Sequence, residues 1–153
     1  MQINNLFKKN NTESLIHNQK SNNIYHLSNS ILSYFFSTLF FLKQNNSFIQ
    51  INQNKLILQI SWLVYCVIPF DCIHKILYID HHSEIKPIFG VFYKNHEMSI
   101  ITNNNNTIRI LFNNIIYLDF ASMKFPLKSL VISIQHHSDF VEYMNNILFN
   151  TII

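Results

Sequence analysis

The chain has 153 residues, of which 48% are hydrophobic and 12% are charged, a length and an apolar content that suit one folded domain and exclude disorder throughout. The formal net charge is +3, and the cations are Lys residues apart from a single arginine, Arg109. Because phosphate and base recognition relies on Arg forks and clustered positive charge, we expect no nucleic-acid binding.

Residue types with AT-rich codons dominate the sequence. Isoleucine supplies 25 residues and asparagine 22, whereas glycine and alanine occur once each, as Gly90 and Ala121. This bias indicates an AT-rich genome, and we expect a plastid-encoded protein of the chloroplast stroma; the alternative is the cytoplasm of an AT-rich bacterium. Residues 1–30 lack an apolar segment followed by a small-residue cleavage site, so we do not expect secretion.

The N-terminal part of the chain divides into a polar arm and an apolar stretch. Residues 1–26 predict an irregular arm, and residues 27–153 a single domain. The apolar stretch, from Ile31 to Leu42, follows candidate N-caps and predicts a helix over residues 30–42. Twelve residues rise about 18 Å, too little to cross a bilayer. We expect this helix to dock on the domain, so that its deletion unfolds the remainder; the alternative is a membrane-peripheral factor that the helix anchors to a membrane surface or a partner.

Beyond residue 47, apolar residues alternate with period two, which predicts strands. The alternating sets are Leu56, Leu58, Ile60 and Trp62; Ile108, Ile110 and Phe112; Ile116, Leu118 and Phe120; and Leu130, Ile132 and Ile134. Short strands about ten residues apart predict a small β-barrel or barrel-like antiparallel sheet over residues 47–135. The residues expected to share its core are Trp62, Ile68, Ile73, Ile76 and Ile110.

Turns and the C-terminal helix complete the predicted fold. With one glycine in the chain, Asn is expected at left-handed turn positions, so Asn113 and Asn114 predict a two-residue hairpin turn and residues 103–106 a longer loop. Helically spaced apolar residues behind Asp139, with Glu142 three residues on as in a capping box, predict an amphipathic helix over residues 139–149. The expected fold class is therefore mainly β with one apolar N-terminal and one amphipathic C-terminal helix.

Two pairs of adjacent histidines are the candidates for metal chemistry. Asp80, His81 and His82 end an apolar run and resemble one motif of the DHH phosphoesterases, which bind divalent manganese. That resemblance implies an alternative function as a DHH-like metal-dependent phosphoesterase fragment or a small enzyme. Consecutive histidines of an extended chain point to opposite faces, so His81 and His82 would not readily bind one metal ion. The same argument applies to His136 and His137. We therefore expect no metal site and no bound cofactor.

The two cysteines are the candidates for nucleophilic chemistry. Cys66 and Cys72 are six residues apart, which is neither redox-pair nor zinc-knuckle spacing, so we expect reduced thiols. In an extended segment Cys72 and His74 would share a face, but nothing nearby in the sequence lowers a thiol pKa. No phosphate loop, dinucleotide fingerprint or nucleophile motif occurs. We expect no catalytic residue and no small-molecule substrate.

A longer pattern carries a resemblance to a known family. Residues 65–77, YCVIPFDCIHKIL, run through a predicted strand into Pro69, after which Ile73, Ile76 and Leu77 recur at helical spacing. A Pro-containing loop, IKPI, and a strand that begins at glycine, GVFYKNHEM, follow them in the chain. In this order the segments resemble the early part of CheW-like adaptor domains, over roughly residues 56–101.

The CheW-like resemblance implies a barrel fold and an adaptor function. It places a partner surface at Phe92, Lys94 and Glu97, while the family's Arg-Gly pair would fall on Asn95 and His96. The preferred interpretation is a non-catalytic protein-binding or adaptor module that uses strand edges and apolar surface to hold a protein partner.

Overall fold

The computed structural model describes residues 24–28, 47–79, 90–103 and 105–150. The helix predicted over residues 30–42, with the docking expected of it, lies outside the described residues. The same holds for Asp80, His81 and His82. The last residues of the expected polar arm, 24–26, are described and form a strand.

Within these residues the chain forms nine strands and one α-helix. The strands are β1 (Ile24–His26), β2 (Ser47–Asn52), β3 (Lys55–Ile60), β4 (Val64–Pro69), β5 (Ile73–Tyr78), β6 (Gly90–Lys94), β7 (Glu97–Ile101), β8 (Thr107–Phe120) and β9 (Met123–Ser133), and the helix is α1 (His137–Asn150). A 3₁₀ turn, Phe70–Cys72, joins β4 to β5. The mainly β class with a C-terminal helix is thus confirmed.

The strands form a single open sheet, so the predicted barrel is wrong. Their order is β1-β2-β3-β4-β8-β9-β7-β6, and β5 also pairs with β8. Neighbours pair antiparallel except β7 and β9, which are parallel. Among the described residues, one isolated bridge, from Leu27 just after β1 to Ile134 just after β9, connects these two parts of the sheet. A single bridge is not a ladder, and β6 at the other end has no second neighbour among the described strands.

The core lies on one face of this sheet, where the alternating residues of the predicted strands meet. Of the five residues predicted to share it, Ile68, Ile73, Ile76 and Ile110 are buried, whereas Trp62 is 69% exposed. The Trp62 prediction is wrong because the chain leaves β3 after Ile60 and reverses through residues 61–63, which begin with Ser61 at φ 50°. The alternation of side chains between the two faces of the sheet ends where the strand ends, and the Trp62 indole lies on the turn.

A bulge in β5 explains the helical spacing of apolar residues that the sequence shows at residues 73–77. In β5, Ile73 lies opposite Phe112 and Lys75 opposite Leu111, so the register shifts at His74. The extra residue flips the alternation. Ile73 and Ile76 therefore face the core three residues apart, which is helical spacing within a strand.

A larger irregularity replaces the hairpin turn predicted at Asn113 and Asn114. Both residues lie inside β8, exposed, where the register against β9 shifts between Leu111 and Ile116. The Asn113 side chain donates a hydrogen bond to the Asp71 carbonyl oxygen at 3.1 Å, which ties this segment to the 3₁₀ turn. The chain turns only later, after Phe120, through Ala121 and Ser122.

Hydroxyl groups hold the loop predicted at residues 103–106, which connects β7 to β8. Ser133 and Thr107 donate hydrogen bonds to the Asn103 carbonyl oxygen at 2.7 and 3.0 Å. The Asn105 N–H donates to the Asn103 side-chain oxygen at 2.9 Å.

The helix α1 begins two residues before the predicted start, so the capping box is wrong: Asp139 lies in the first helical turn and not at the cap. Phe140, Val141 and Met144 are buried in the core cluster, and the Phe140 ring meets the Tyr25 ring edge to face at 5.0 Å. In the part of the chain that is described, no helix has the length and apolar character to cross a membrane.

Candidate protein-binding surface

The hairpin of β6 and β7 brings the three predicted partner-surface residues together. Lys94 lies opposite Glu97 and Phe92 opposite Ser99. Residues that oppose each other in an antiparallel pair share a face, and so do residues two apart in a strand. Phe92, Lys94 and Glu97 therefore lie on one face of the hairpin.

The turn between these strands is tight and left-handed. Asn95 and His96 have φ angles of 53° and 62°, as a two-residue type I′ turn requires. Asn95 and His96 are the two positions at which the sequence comparison placed the Arg-Gly pair of CheW-like domains.

The strand β6 is an edge with exposed side chains on both faces. Val91, Phe92 and Tyr93 are 43%, 42% and 39% exposed, although all three are large and apolar or aromatic. Val91 and Tyr93 point to the face opposite Phe92. Contiguous exposed apolar residues on a free strand edge mark a site where another chain can pair.

The backbone of β6 presents hydrogen-bonding groups along this edge. In a two-residue hairpin the residues flanking the turn, here Lys94 and Glu97, exchange both backbone hydrogen bonds. Alternation then gives the same role to Phe92, whereas the N–H and C=O groups of Val91 and Tyr93 point away from β7. These outward donors and acceptors have no partner strand among the described residues.

Contacts on the Val91 and Tyr93 face fix the orientation of the hairpin. The Tyr93 hydroxyl donates a hydrogen bond to the Pro126 carbonyl oxygen at 2.9 Å, and its ring meets that of Phe125 edge to face at 5.0 Å. The Lys128 N–H donates to the His96 carbonyl oxygen at 2.7 Å. The turn end of the hairpin is thus held against β9.

The charge of Glu97 is already engaged within the sheet. Its Oε2 accepts a hydrogen bond from the Ser129 hydroxyl at 2.6 Å and lies 3.2 Å from Arg109 Nε. Arg109 reaches it from β8 across β9, the strand between them. Arg109 Nε is buried and makes no hydrogen bond, so this contact is an ion pair without hydrogen-bond geometry.

The positive charge of Lys94 faces outward without such a partner. Among the described residues the one ion pair is that of Arg109 and Glu97. Lys94 is exposed, beside the apolar edge. An acidic group of a bound protein would therefore find an uncompensated cation here.

The sequence missed Arg109, Ser129 and Tyr93 as parts of this surface. Arg109 lies twelve residues from Glu97 and Ser129 thirty-two, and pairing through β9 alone brings them together. The one signal in the sequence was that Arg109 is the only arginine of the chain. A lone arginine in a Lys-rich chain is a candidate for a structural ion pair.

Both thiols have pKa values above that of an ordinary thiol. Cys66 is buried, and burial followed by the charge of Asp119 raises its pKa to about 12. Burial, together with a hydrogen bond and the charge of Asp71, also raises the pKa of Cys72. Cys72 lies in the 3₁₀ turn and His74 at the β5 bulge, so the alternation that would align them does not apply.

Other candidate groups are placed as follows. His136 adopts a left-handed φ of 51° in the turn before α1, and His137 begins the helix with its ring 5.6 Å from that of Tyr78. Within residues 24–28, 47–79, 90–103 and 105–150, no group of three or more His, Cys, Asp or Glu side chains is arranged to hold a metal.

Comparison of the chain with protein-family models, with curated proteins and with solved structures finds no significant match.

Proposed function

We propose that this protein is a non-catalytic binding module, of the adaptor type, that takes an extended segment of a protein partner as an additional strand along β6. The observation that carries the proposal is the β6 edge, which has no second neighbour among the described strands and exposes Val91, Phe92 and Tyr93 together with outward backbone groups. Strand addition gains affinity from main-chain hydrogen bonds and specificity from alternate side chains.

The side chains around β6 define the chemistry of the partner. A segment paired with β6 places alternate side chains against Val91 and Tyr93 on one face and against Phe92 and Lys94 on the other. We expect apolar residues on both faces and an acidic residue near Lys94, because Glu97 is held by Ser129 and Arg109. The resemblance to CheW-like adaptor domains supports the same surface.

The matched pair Val91→Pro and Val91→Ala tests this function. Proline removes the outward N–H of residue 91 and keeps the hairpin hydrogen bonds, because residue 91 does not donate to β7. Alanine shortens the same side chain and keeps the N–H. The full-length wild type and both variants are each immobilised and exposed to plastid extract. A plastid is chosen because the AT-rich composition favours a plastid-encoded protein.

A strand-binding partner is retained by the wild type and by Val91→Ala and is lost with Val91→Pro. The retained protein is then purified and added to the wild-type chain, where it should slow amide hydrogen exchange at Val91 and Tyr93. Equal retention by both variants, no retention by the wild type, or unchanged exchange at these amides would contradict the proposed function.

A further inference from the structure

Among the described residues, the β6 edge carries no proline, no bulge and no charge in the middle of the strand, three devices that keep sheet edges apart. Its pairing with β7 runs in regular register, and its one charged residue is Lys94 at the end. Edges that are protected carry charges in the strand, proline or distortion. The central residue of β6, Phe92, is instead aromatic and exposed.

We infer that a second copy of this chain occupies the β6 edge, by antiparallel pairing of β6 with β6 of the copy about a twofold axis at Phe92. This inference goes beyond the proposed function, because it names the chain itself as the occupant while no other protein is bound. A partner strand and the second copy then compete for the same edge.

The direction of the backbone groups selects this register. In an antiparallel ladder two opposing residues either exchange both hydrogen bonds or exchange none. With Phe92 opposite its own equivalent, Val91 lies opposite Tyr93 of the copy, and both residues carry outward groups. Every outward donor and acceptor of β6 is then paired in both copies. A pairing centred on Val91 or on Tyr93 leaves some of these groups unpaired.

The side chains agree with the same register. Phe92 meets Phe92 of the copy in a non-hydrogen-bonded pair, where side chains are closest, and Val91 meets Tyr93. Aromatic pairs and aromatic pairs with β-branched residues stabilise antiparallel strands. Lys94 lies opposite Gly90, so no like charges oppose each other. A pairing centred on Lys94 would bring two cations together.

The size of the contact predicts a dimer that dissociates on dilution. The strand has five residues, so edge pairing buries less than the roughly 800 Å² per partner of a standard stable interface. Isologous pairing closes after two copies, because each chain offers this edge once.

Sedimentation velocity of the full chain tests the inference over about a hundredfold range of concentration, since the dimer population rises with concentration. The wild type and Val91→Ala should dimerise, and Val91→Pro should stay monomeric. Phe92→Lys and Phe92→Glu should each be monomeric, because like charges then face each other across the axis. An equimolar mixture of these two variants should form the dimer again, because opposite charges now meet.

Tyr117→Lys is the matched control, since Tyr117 is an exposed aromatic residue of β8, away from the edge. It should dimerise like the wild type. The inference is overturned if the wild type is monomeric throughout, if Val91→Pro or Phe92→Lys dimerises like the wild type, or if the mixture of charged variants does not associate. These outcomes are separate from those for the proposed function, which concern retention of another protein.

Discussion

At the residue scale, left-handed turn positions show what a glycine-poor chain does at its turns. Asn was expected at these positions, but the described non-glycine residues with positive φ are Gln53, Ser61, Asn95, His96, Ala121, Ser122 and His136. Asn95 alone fits the expectation. The turns fall where paired strands end, so strand pairing overrides the preference of the turn residue. Single-residue propensity therefore could not locate them.

The Ala121–Ser122 turn is predicted to store strain that substitution relieves. Their φ angles are 47° and 68°, and L residues with a Cβ cost about 1 kcal/mol each in this conformation. The double substitution Ala121→Asn with Ser122→Gly supplies the preferred type I′ pair. We expect the free energy of unfolding in urea to rise by about 1 kcal/mol.

The matched control is Asn114→Gly, at the site of the hairpin turn that the sequence wrongly predicted. Because Asn114 lies within β8, glycine there should lower the stability by about 0.5–1 kcal/mol. A gain at Asn114, or a loss at Ala121 and Ser122, would place the turn where the sequence predicted it.

The buried thiol of Cys66 is predicted to make stability depend on alkaline pH. The folded chain holds its pKa at about 12, against 9.0 for an ordinary thiol. As the pH rises above 9.0, the unfolded chain releases this proton and the folded chain keeps it, so the free energy of unfolding falls. The stability that the buried Cys66 thiol contributes is fully present below pH 9.0 and is lost as the pH rises towards 12.

Urea unfolding of the wild type and of Cys66→Val across this pH range isolates the effect. Valine does not titrate, so the wild type should lose stability more steeply with rising pH. The two proteins differ at residue 66 alone, so the difference between their pH profiles reports on Cys66. Parallel pH profiles for the two proteins would show that Cys66 is not protected from ionisation.

At the element scale, period two predicted the strands correctly wherever pairing is regular. The sets in β3, β8 and β9 contribute ten buried hydrophobic residues to the sheet. The helical spacing at residues 73–77 and the wrong hairpin turn at residues 113–114 have one cause, because a shift of register changes the spacing of core residues without ending the strand. Bulges depend on the neighbouring strand, and no local pattern reveals them.

The ion pair of Glu97 and Arg109 is predicted to couple β7 to β8 modestly. The two side chains are 28% and 27% exposed, so solvent screens the pair. Glu97→Gln keeps an acceptor for Ser129 and removes the charge. We expect it to cost about 1 kcal/mol of unfolding free energy, with a coupling of about 0.5–1 kcal/mol to Arg109→Met in a double-mutant cycle.

Lys94→Gln is the matched control for the pair, because Lys94 has no ion-pair partner among the described residues. It should change stability by less than about 0.5 kcal/mol. A coupling near zero, or equal costs for Glu97→Gln and Lys94→Gln, would mean that the contact adds nothing to stability.

At the scale of the whole molecule, the sequence placed the candidate surface within a short segment but did not predict the topology. Phe92, Lys94 and Glu97 lie within one hairpin, so a short segment of sequence was enough to bring them together. The open sheet depends on β9 pairing parallel with β7 and antiparallel with β8. The parallel pairing joins two strands that are separated in the chain by the whole of β8. The barrel was inferred from strand spacing, which does not determine closure.

The helix α1 is predicted to be an integral part of the core, and Phe140 is its largest fully buried side chain. The side chain is fully buried and packs against Tyr25 of β1, while Tyr78 of β5 contacts the start of the helix through Ser138 and His137. Phe140→Ala should lower the free energy of unfolding by about 3–5 kcal/mol, from the lost apolar burial and the cavity left behind.

The comparison with Tyr143→Ala decides whether the stability lost in Phe140→Ala comes from core packing or from helix propensity. Tyr143 is an exposed aromatic residue of the same helix, so its replacement should cost less than about 1 kcal/mol. Because a domain is stable by only about 5–15 kcal/mol, Phe140→Ala should shift the unfolding of helix and sheet together, as followed by far-ultraviolet circular dichroism and by amide exchange in β5. If the helix melts alone while the β5 amides stay protected, α1 is an appendage and the sheet is stable without it.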